Sequence, residues 1–380
     1  MAIALRTGRR PLAAAALLLT AAAAGGCGNG PGPEHARRSR SSPPPAHPRP
    51  AAQRLSLAQQ VGQAVILSFE GTTVPGYVQR ALRDGRVAGV ILFSDNIASP
   101  DQLRRLTASL QRAARHGALV MVDQEGGPVQ MVPFAAPAVG QARQHTAQGA
   151  AVQAAAAAKD LRSLGVNVNL APVADVPSAP GAALADRAFT GDGATVAARV
   201  KAAVRAYGAA GLGAAVKHFP GLGAARANTD YAPVTISGLD AGDLEPFRAA
   251  VGAGVPLVMV SHAVYTDLDP GRIASQSSVI LRGLLRQRLR FRGVIVTDSM
   301  EAVAVLRRSS VTEAAVRSLQ AGADLLLLTG NGSFRQVSQH LRALARRDPG
   351  FRGRLAQADA RVLALKRRLG LRPPVTPERR

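Results

Sequence analysis

The segment that decides the fold is residues 213–220, which read Gly-Ala-Ala-Val-Lys-His-Phe-Pro. The apolar run from Gly213 to Val216 predicts a strand buried on both faces, because polar and apolar residues do not alternate in it. Lys217 and His218 follow at its end, and a glycine-containing loop comes next. Two adjacent proton-carrying side chains at the end of a buried strand are costly unless a function uses them. We therefore expect this strand to lead into a functional site.

The same arrangement recurs along the chain. Besides the run ending at Val216, short apolar runs rich in β-branched residues or Leu predict strands at 61–69, 87–93, 118–122, 166–173, 257–260, 294–297 and 323–328. Amphipathic or Ala-rich stretches between them predict helices at 102–115, 147–164, 194–210, 244–253, 278–289 and 312–321. Eight strands alternating with helices predict a single-domain (β/α)8 TIM barrel, with a doubly wound sheet as the alternative. After Leu328 we expect one long basic helix, a Pro-rich tail and no second domain.

Six polar side chains stand at the carboxyl ends of these runs: Asp123, Asp175, Lys217, His218, His262 and Asp298. The active sites of (β/α)8 enzymes are built at that end of the barrel. Any one of these residues could be structural, but their common position at strand ends indicates a shared site.

Several segments resemble the β-N-acetylhexosaminidases of glycoside hydrolase family 3. Residues 217–230, K-H-F-P-G-L-G-A-A-R-A-N-T-D, resemble the signature K-H-F-P-G-H-G-x4-D-S-H, and residues 123–127, D-Q-E-G-G, resemble D-Q-E-G-G-R-V-Q-R. Residues 186–189, D-R-A-F, resemble D/E-R-S/A-F, and Ser261-His262 followed by Tyr265 resembles A-H-x-x-Y. The resemblance runs from about Leu57 to Leu369. It implies a barrel that acts as a retaining β-glycosidase on terminal β-N-acetylhexosamine units in cell-wall turnover.

The resemblance also implies a role for each site residue. Asp298, in the family's T/S-D motif, would be the nucleophile that forms a covalent glycosyl-enzyme. The substrate-binding residues would be Asp123, Arg187, Lys217 and His218, with His262 shaping the floor of the pocket. Pro128 and Met131 occupy two positions where the family has Arg, so the sugar subsite differs here.

The loop after His218 departs from the family at the pair of residues that transfers the proton. Asn228 and Asp230 stand where the family has Asp and His. A carboxylic acid can deliver a proton if its pKa is raised, and a neighbouring Asp298 would raise it. We therefore expect Asp230 to be the acid/base and Asn228 to orient it. The alternative is a catalytically weak, sugar-binding lipoprotein of the same fold, in which Asp230 only caps the loop.

Residues 1–27 predict a bacterial lipoprotein signal peptide. Three Arg residues precede the apolar stretch 12–24, which is too short to span a bilayer. Small residues then precede Cys27, the only Cys of the chain. Lipidation of Cys27 would anchor the protein at the extracytoplasmic face of the membrane. The alternative is a plain secretory signal with an incidental Cys, and the export route, Sec or twin-arginine, stays open.

Composition divides the remainder of the chain. Residues 28–54 are rich in Pro, Arg, Ser and Gly and therefore predict a disordered tether. Residues 55–372 are expected to form the barrel, and residues 373–380 a tail. The chain carries a net charge of +23, of which residues 1–54 contribute +7, so +16 belongs to the rest. No nucleic-acid-binding motif accompanies this charge, and anionic wall polymers or lipid headgroups suit an exported protein better.

Neither a metal nor a cofactor is expected. No His or Cys cluster has the spacing of metal ligands, and carboxylates suffice for glycoside cleavage. Gly221-Leu222-Gly223 is not followed by a phosphate-loop or dinucleotide pattern, which argues against a nucleotide-binding protein. The expected partner is a carbohydrate substrate, and the protein is expected to be a monomer.

Overall fold

The computed structural model describes residues 55–371. The predicted signal peptide with Cys27, the tether 28–54 and the tail 373–380 lie outside the described residues. Within residues 55–371, no helix is both long and apolar enough to cross a membrane.

Eight parallel strands close into a barrel, which confirms the predicted (β/α)8 fold. The strands are β1 (Val65–Leu67), β2 (Gly89–Ile91), β3 (Leu119–Val122), β4 (Val168–Asn169), β5 (Gly213–Phe219), β6 (Leu257–Val260), β7 (Val294–Ser299) and β8 (Leu325–Leu328). Each strand pairs with the next one in chain order, and β8 closes the barrel against β1, with Leu326 opposite Val65. The alternative of a doubly wound sheet is thereby excluded.

Strand residues divide between two cores because successive side chains point to opposite faces. Ile66, Met121 and Val296 belong to the cluster inside the barrel, which also receives Val362 and Leu365 from the last helix. Their neighbours along the strands belong to the outer cluster, between the strands and the surrounding helices. Both faces of each strand are therefore buried, which is why the strands are continuous apolar runs in the sequence.

The helices surround this barrel. They are α1 (Leu57–Gln63), α2 (Gly76–Arg83), α3 (Pro100–Ala113), α4 (Ala147–Ser163), α5 (Gly193–Ala209), α6 (Ala241–Gly252), α7 (Val303–Leu306), α8 (Val311–Ala321), α9 (Ser333–Arg347) and α10 (Pro349–Arg368). The predicted helix 278–289 is a π-type helix, Val279–Arg288. Short strands outside the barrel are Gln124–Gly126, Val129–Gln130, Thr235–Ile236, Val264–Tyr265 and Asp269–Ile273.

The structure differs from the sequence predictions of elements in three places. The first predicted strand, 61–69, begins inside helix α1, because Ser56 and Gln59 form a capping box that starts a helix before it. Helix α2 was not predicted. The single helix expected after Leu328 is two helices, because Asp348 caps α10 by accepting a hydrogen bond from the Phe351 N–H, at 2.9 Å. Pro349 then occupies the first position of α10, where no N–H is needed.

Candidate active site

Strand β5 is longer than its apolar run because it continues through Lys217 and His218 to Phe219. Both polar side chains are nevertheless almost completely buried. A bridge between Val173 and Lys217 shows that the segment after β4 continues beside β5. The Lys217–His218 and Phe219–Pro220 peptide bonds are cis. Residues 213–220 therefore carry Lys217 and His218 into the mouth of the barrel, as the sequence predicts.

The buried charge of Lys217 is matched by two carboxylates from the segment after β3. Its Nζ lies 2.5 Å from Asp123 Oδ1 and 2.6 Å from Glu125 Oε1. Burial opposes the charge of Lys217, but Asp123 and Glu125 together raise its pKa above the ordinary value. Arg187 completes the network by donating two hydrogen bonds to Glu125, from Nε at 2.9 Å and from a terminal nitrogen at 2.8 Å.

Glu125 holds this network together, and the sequence analysis assigned it no role. Its side chain is completely buried. Burial alone would favour the neutral acid, but Lys217 and Arg187 lower the pKa of Glu125 to about 2. The side chains of Asp123 and Arg187 are 19% and 15% exposed. These two are therefore the members of the network that can meet a ligand, while Glu125 holds Arg187 directly and Asp123 through Lys217.

Replacing Glu125 with Gln should destabilise the fold by about 3–5 kcal/mol, because Lys217 and Arg187 would lose a buried counter-charge. Chemical denaturation at neutral pH measures this loss. Because the folded-state pKa of Glu125 is depressed, its contribution is present above the ordinary pKa of 4.5 and is lost as the pH falls toward about 2. Asp84→Asn is the control, since the Asp84–Arg86 pair is exposed and should contribute less than about 1 kcal/mol. Equal effects of both changes would contradict the buried network.

His218 is held by a buried carboxylate. Its Nδ1 lies 2.7 Å from Oδ2 of the completely buried Asp175, and its backbone N–H donates to the same side chain at 3.1 Å. The backbone N–H of Leu222 also donates to Asp175, at 2.6 Å. Because a carboxylate accepts, Nδ1 carries the proton. Nε2 of His218 has no hydrogen bond to any residue in the described part and is left for a ligand.

Asp298 lies at the end of β7 and is partly exposed. Its Oδ1 accepts a hydrogen bond from the Ser299 N–H at 2.8 Å. Burial favours the neutral acid, but His218, His262, the Ser299 N–H and Lys217 outweigh it, and the pKa of Asp298 lies below its ordinary value. Asp298 is therefore an ionised carboxylate at neutral pH, as a nucleophile or a stabiliser of positive charge needs to be.

His262 lies beneath Asp298 and has no exposed surface. Its Nε2 donates to the carbonyl of Ser299 at 2.9 Å, and its Nδ1 lies 2.8 Å from Ser275 Oγ. Burial lowers the pKa of His262 although Asp298 acts in the opposite direction, so the ring is neutral and Nδ1 accepts from Ser275. The resemblance implies that His262 shapes the floor of the pocket and so takes part in substrate binding. A fully buried ring with both nitrogens engaged instead positions the backbone beside Asp298.

The loop after β5 is fixed against the segment after β7. The Val303 N–H donates to the carbonyl of Asp230 and the Ala304 N–H to that of Thr229, both at 3.1 Å. Within the loop, Asn228 Oδ1 accepts a hydrogen bond from the backbone N–H of Asp230 at 2.9 Å. The side chain of Asn228 thus contacts the main chain of Asp230. It holds the turn that carries the carboxyl group.

Asp230 is the site carboxyl group with a raised pKa. Burial and the negative charge of Asp298 raise its pKa to about 6, while His218 and Asn228 act in the other direction. Its Oδ1 is buried and has no hydrogen-bond partner among residues 55–371. Asp230 therefore retains its proton to a higher pH than an ordinary Asp does, whereas Asp298 loses its proton at a lower pH.

The structure brings the eight predicted site residues of the described range to the same end of the barrel: Asp123, Arg187, Lys217, His218, Asn228, Asp230, His262 and Asp298. It adds Glu125, Asp175 and Ser275 as the groups that hold them. Asp175 was noticeable in the sequence as a polar residue after an apolar run. Glu125 stands inside a recognised motif, but nothing in its spacing indicates that it pairs with Lys217 and Arg187.

A closed (β/α)8 barrel whose mouth combines an ionised carboxylate with a carboxyl group of raised pKa has the two groups that enzymes cleaving glycosidic bonds use. Residues 56–365 match the Glycosyl hydrolase family 3 N terminal domain. The chain belongs to this family. It is a glycoside hydrolase similar to the β-N-acetylhexosaminidases.

Relatives of known name agree with this assignment. A β-hexosaminidase of Xanthomonas campestris pv. campestris (strain B100) is 36% identical over 278 residues, which cover 70% of this chain and 83% of the relative. The structure of a family 3 β-N-acetylglucosaminidase from Paenibacillus sp. str. FPU-7 aligns with a TM-score of 0.80 and 33% identity, over 83% of this chain and 63% of that one. A β-N-acetylhexosaminidase from Beutenbergia cavernae aligns with a TM-score of 0.77 and 32% identity, over 82% and 98%. This chain thus spans less than two thirds of the Paenibacillus enzyme.

Proposed function

We propose that this protein removes terminal β-linked N-acetylhexosamine units from cell-wall-type glycans, with retention of configuration at the anomeric carbon. The observation that carries the proposal is that two carboxyl groups at the mouth of the barrel have pKa values shifted in opposite directions. The pKa of Asp298 lies below its ordinary value, and the pKa of Asp230 is raised to about 6. A retaining glycosidase needs an ionised nucleophile and a protonated acid at the same pH. The sugar class follows from the named relatives.

The first step forms a covalent intermediate on Asp298. The Asp298 carboxylate attacks the anomeric carbon while the bond from that carbon to the glycosidic oxygen breaks. Asp230 transfers its proton to the departing oxygen, so the leaving group departs as a neutral alcohol. The proton has to come from a carboxyl group that is still protonated at the working pH, which the raised pKa of Asp230 provides.

The second step releases the sugar. Asp230, now a carboxylate, removes a proton from a water molecule, and the water oxygen attacks the anomeric carbon. The bond between that carbon and Asp298 breaks, which regenerates the carboxylate. Asp230 ends protonated again and both residues are ready for another turnover.

Sugar binding falls to the partly exposed members of the surrounding network. Arg187 donates and Asp123 accepts, which suits the hydroxyl groups of a sugar ring. His218 offers Nε2, because Asp175 engages its other nitrogen. Glu125, Asp175 and the buried His262 keep these groups and Asp298 in place before the sugar arrives.

A second candidate function is favoured by the contact of Asn228. Because Asn228 holds the main chain of Asp230, and Oδ1 of Asp230 has no hydrogen-bond partner among residues 55–371, the loop is fixed while this carboxyl oxygen is not oriented by another group. In that case the protein would be a sugar-binding lipoprotein of low catalytic activity.

Turnover of aryl β-glycosides distinguishes the two functions. The proposed enzyme should release the aryl group from a β-N-acetylglucosaminide faster than from a β-glucoside, and nuclear magnetic resonance should show the β-anomer as the first product. Binding of N-acetylglucosamine without turnover of either substrate would establish the binding protein. Release of the α-anomer would refute the retaining mechanism.

We also propose that the protein is a lipoprotein held at the extracytoplasmic face of the cell membrane, on the basis of residues 1–27. Wild-type protein should sediment with membranes, and Cys27→Ser should release it to the soluble fraction, because the thiol that carries the lipid is gone. Fractionation and metabolic labelling with a fatty acid measure this. Ser39→Ala, in the tether, is the control and should stay with membranes. Membrane association of the Cys27→Ser protein without label would contradict lipidation.

A further inference from the structure

A cationic cavity lies between the loop that follows β6 and the segment that follows β7. Its volume is about 420 Å³, and it is lined by Gly271, Arg272, Ile273, Gln276, Arg308 and Arg317. A second cavity of about 210 Å³ shares Arg272, Gln276 and Arg317 with it. Three guanidinium groups therefore border one space of small-ligand size, and no carboxylate lines it.

The arginines of the cavity are accessible. Arg272, Arg308 and Arg317 are exposed residues, so a ligand from solvent can reach their guanidinium groups. Gln276 is only 8% exposed and its side-chain nitrogen is buried, so this amide stays behind the wall of the cavity.

The charge of the cavity is only partly balanced by nearby acids. Asp269 accepts a hydrogen bond from Ser277 Oγ at 2.7 Å. Hydrogen bonds from Ser310 and, to a smaller extent, the positive charge of Arg317 lower the pKa of Glu313, whose carboxylate accepts from the Ser310 N–H at the start of α8. The side chains of Arg272 and Arg308 make no hydrogen bond or ion pair with any other residue of the described range. These two arginines carry the uncompensated charge.

We propose that this cavity binds a small oxyanion, a phosphate or carboxylate group, between Arg272, Arg308 and Arg317. A guanidinium group presents paired N–H donors that fit the oxygens of such anions. The net charge of +23 raises the local concentration of anions around the protein. None of the side chains that line the cavity belongs to the catalytic mouth, so the site is separate from it.

Titration with inorganic phosphate tests the proposal. Isothermal titration calorimetry at constant ionic strength should show one phosphate bound per chain, and phosphate should raise the melting temperature. The double variant Arg272→Gln/Arg308→Gln should bind phosphate about tenfold more weakly, because two charge-assisted donors are lost. Arg83→Gln/Arg105→Gln, which removes the same charge from exposed positions of α2 and α3, should bind like wild type. Unfolding curves without phosphate verify that both variants fold.

Vesicles of anionic phospholipid identify the source of the anion. If the wild-type protein binds the vesicles, the cavity variant does not, and phosphate releases the wild-type protein from them, the ligand is a lipid headgroup. If phosphate binds but the vesicles do not, the ligand is a soluble or polymer-borne anion. Either result supports the site.

Three results would overturn the proposal. Unchanged phosphate affinity of the cavity variant would show that the arginines do not form a site. An equal loss in the control variant would show diffuse attraction to the net charge. Loss of phosphate binding in Lys217→Ala, with binding retained in the cavity variant, would place the anion in the catalytic mouth instead.

Discussion

Replacing Asp298 with Asn should lower turnover of aryl β-N-acetylglucosaminides by roughly 10⁴-fold or more, which is the scale of losing a nucleophile. The carboxamide has almost the same shape, and its oxygen can still accept the hydrogen bond from the Ser299 N–H, so the fold should be retained. It cannot form the ester bond to the anomeric carbon. Steady-state kinetics measure the loss, and circular dichroism verifies the fold.

A trapped intermediate identifies the nucleophile directly. A fluoro-substituted aryl glycoside should add one sugar to the wild-type protein, and peptide mass spectrometry should locate that sugar on Asp298. Glu301→Gln is the matched control, because Glu301 lies three residues away and its Oε2 accepts a hydrogen bond from the Thr329 N–H at 2.7 Å. The control should lose little activity. An adduct on another residue, or an equal loss in Glu301→Gln, would remove the nucleophile assignment from Asp298.

Replacing Asp230 with Ala should reduce cleavage of natural disaccharides by about 10²–10⁴-fold, the usual contribution of a general acid. The first step on dinitrophenyl glycosides should be almost unchanged, because an activated leaving group departs without a proton. Azide should partly restore turnover of the activated substrate by attacking in place of water. Asn228→Ala should act in the same direction but more weakly, since Asn228 holds only the turn that carries Asp230. Equal, small losses on both substrates would make Asp230 structural.

The pH dependence provides a second measure of Asp230. In wild type, kcat/KM should fall as the pH rises through about 6, because the acid then loses its proton. The Asp230→Ala variant should lack this alkaline limb. The raised pKa also means that wild type loses stability as the pH rises from the ordinary pKa of 3.8 through about 6. Asp230→Asn should therefore raise the melting temperature above pH 6 and change it little below pH 4, whereas Asp95→Asn, at an exposed position, should change neither.

Most of the barrel could be predicted because its strands are buried on both faces. The runs at 118–122, 257–260 and 294–297 correspond closely to β3, β6 and β7, since a strand with two covered faces needs no polar residue until it reaches the mouth. The errors occurred where a capping interaction outweighed the apolar pattern. Ser56 started a helix just ahead of β1, and Asp348 with Pro349 divided the carboxyl-terminal helix in two.

The sequence by itself determined the barrel, its family and the positions of the polar residues at strand ends, because these depend on periodicity and on residue types along the chain. Only the tertiary structure decided which charges meet. Glu125 pairs with Lys217 and Arg187 across 92 and 62 positions of the chain, and burial makes that pairing obligatory. Likewise the pKa of Asp230 depends on Asp298, 68 positions away, and on the loss of water around both. The pKa of a carboxyl group depends on its surroundings in the folded protein. The different pKa values of Asp230 and Asp298, and with them their different catalytic roles, therefore arise only when the barrel closes.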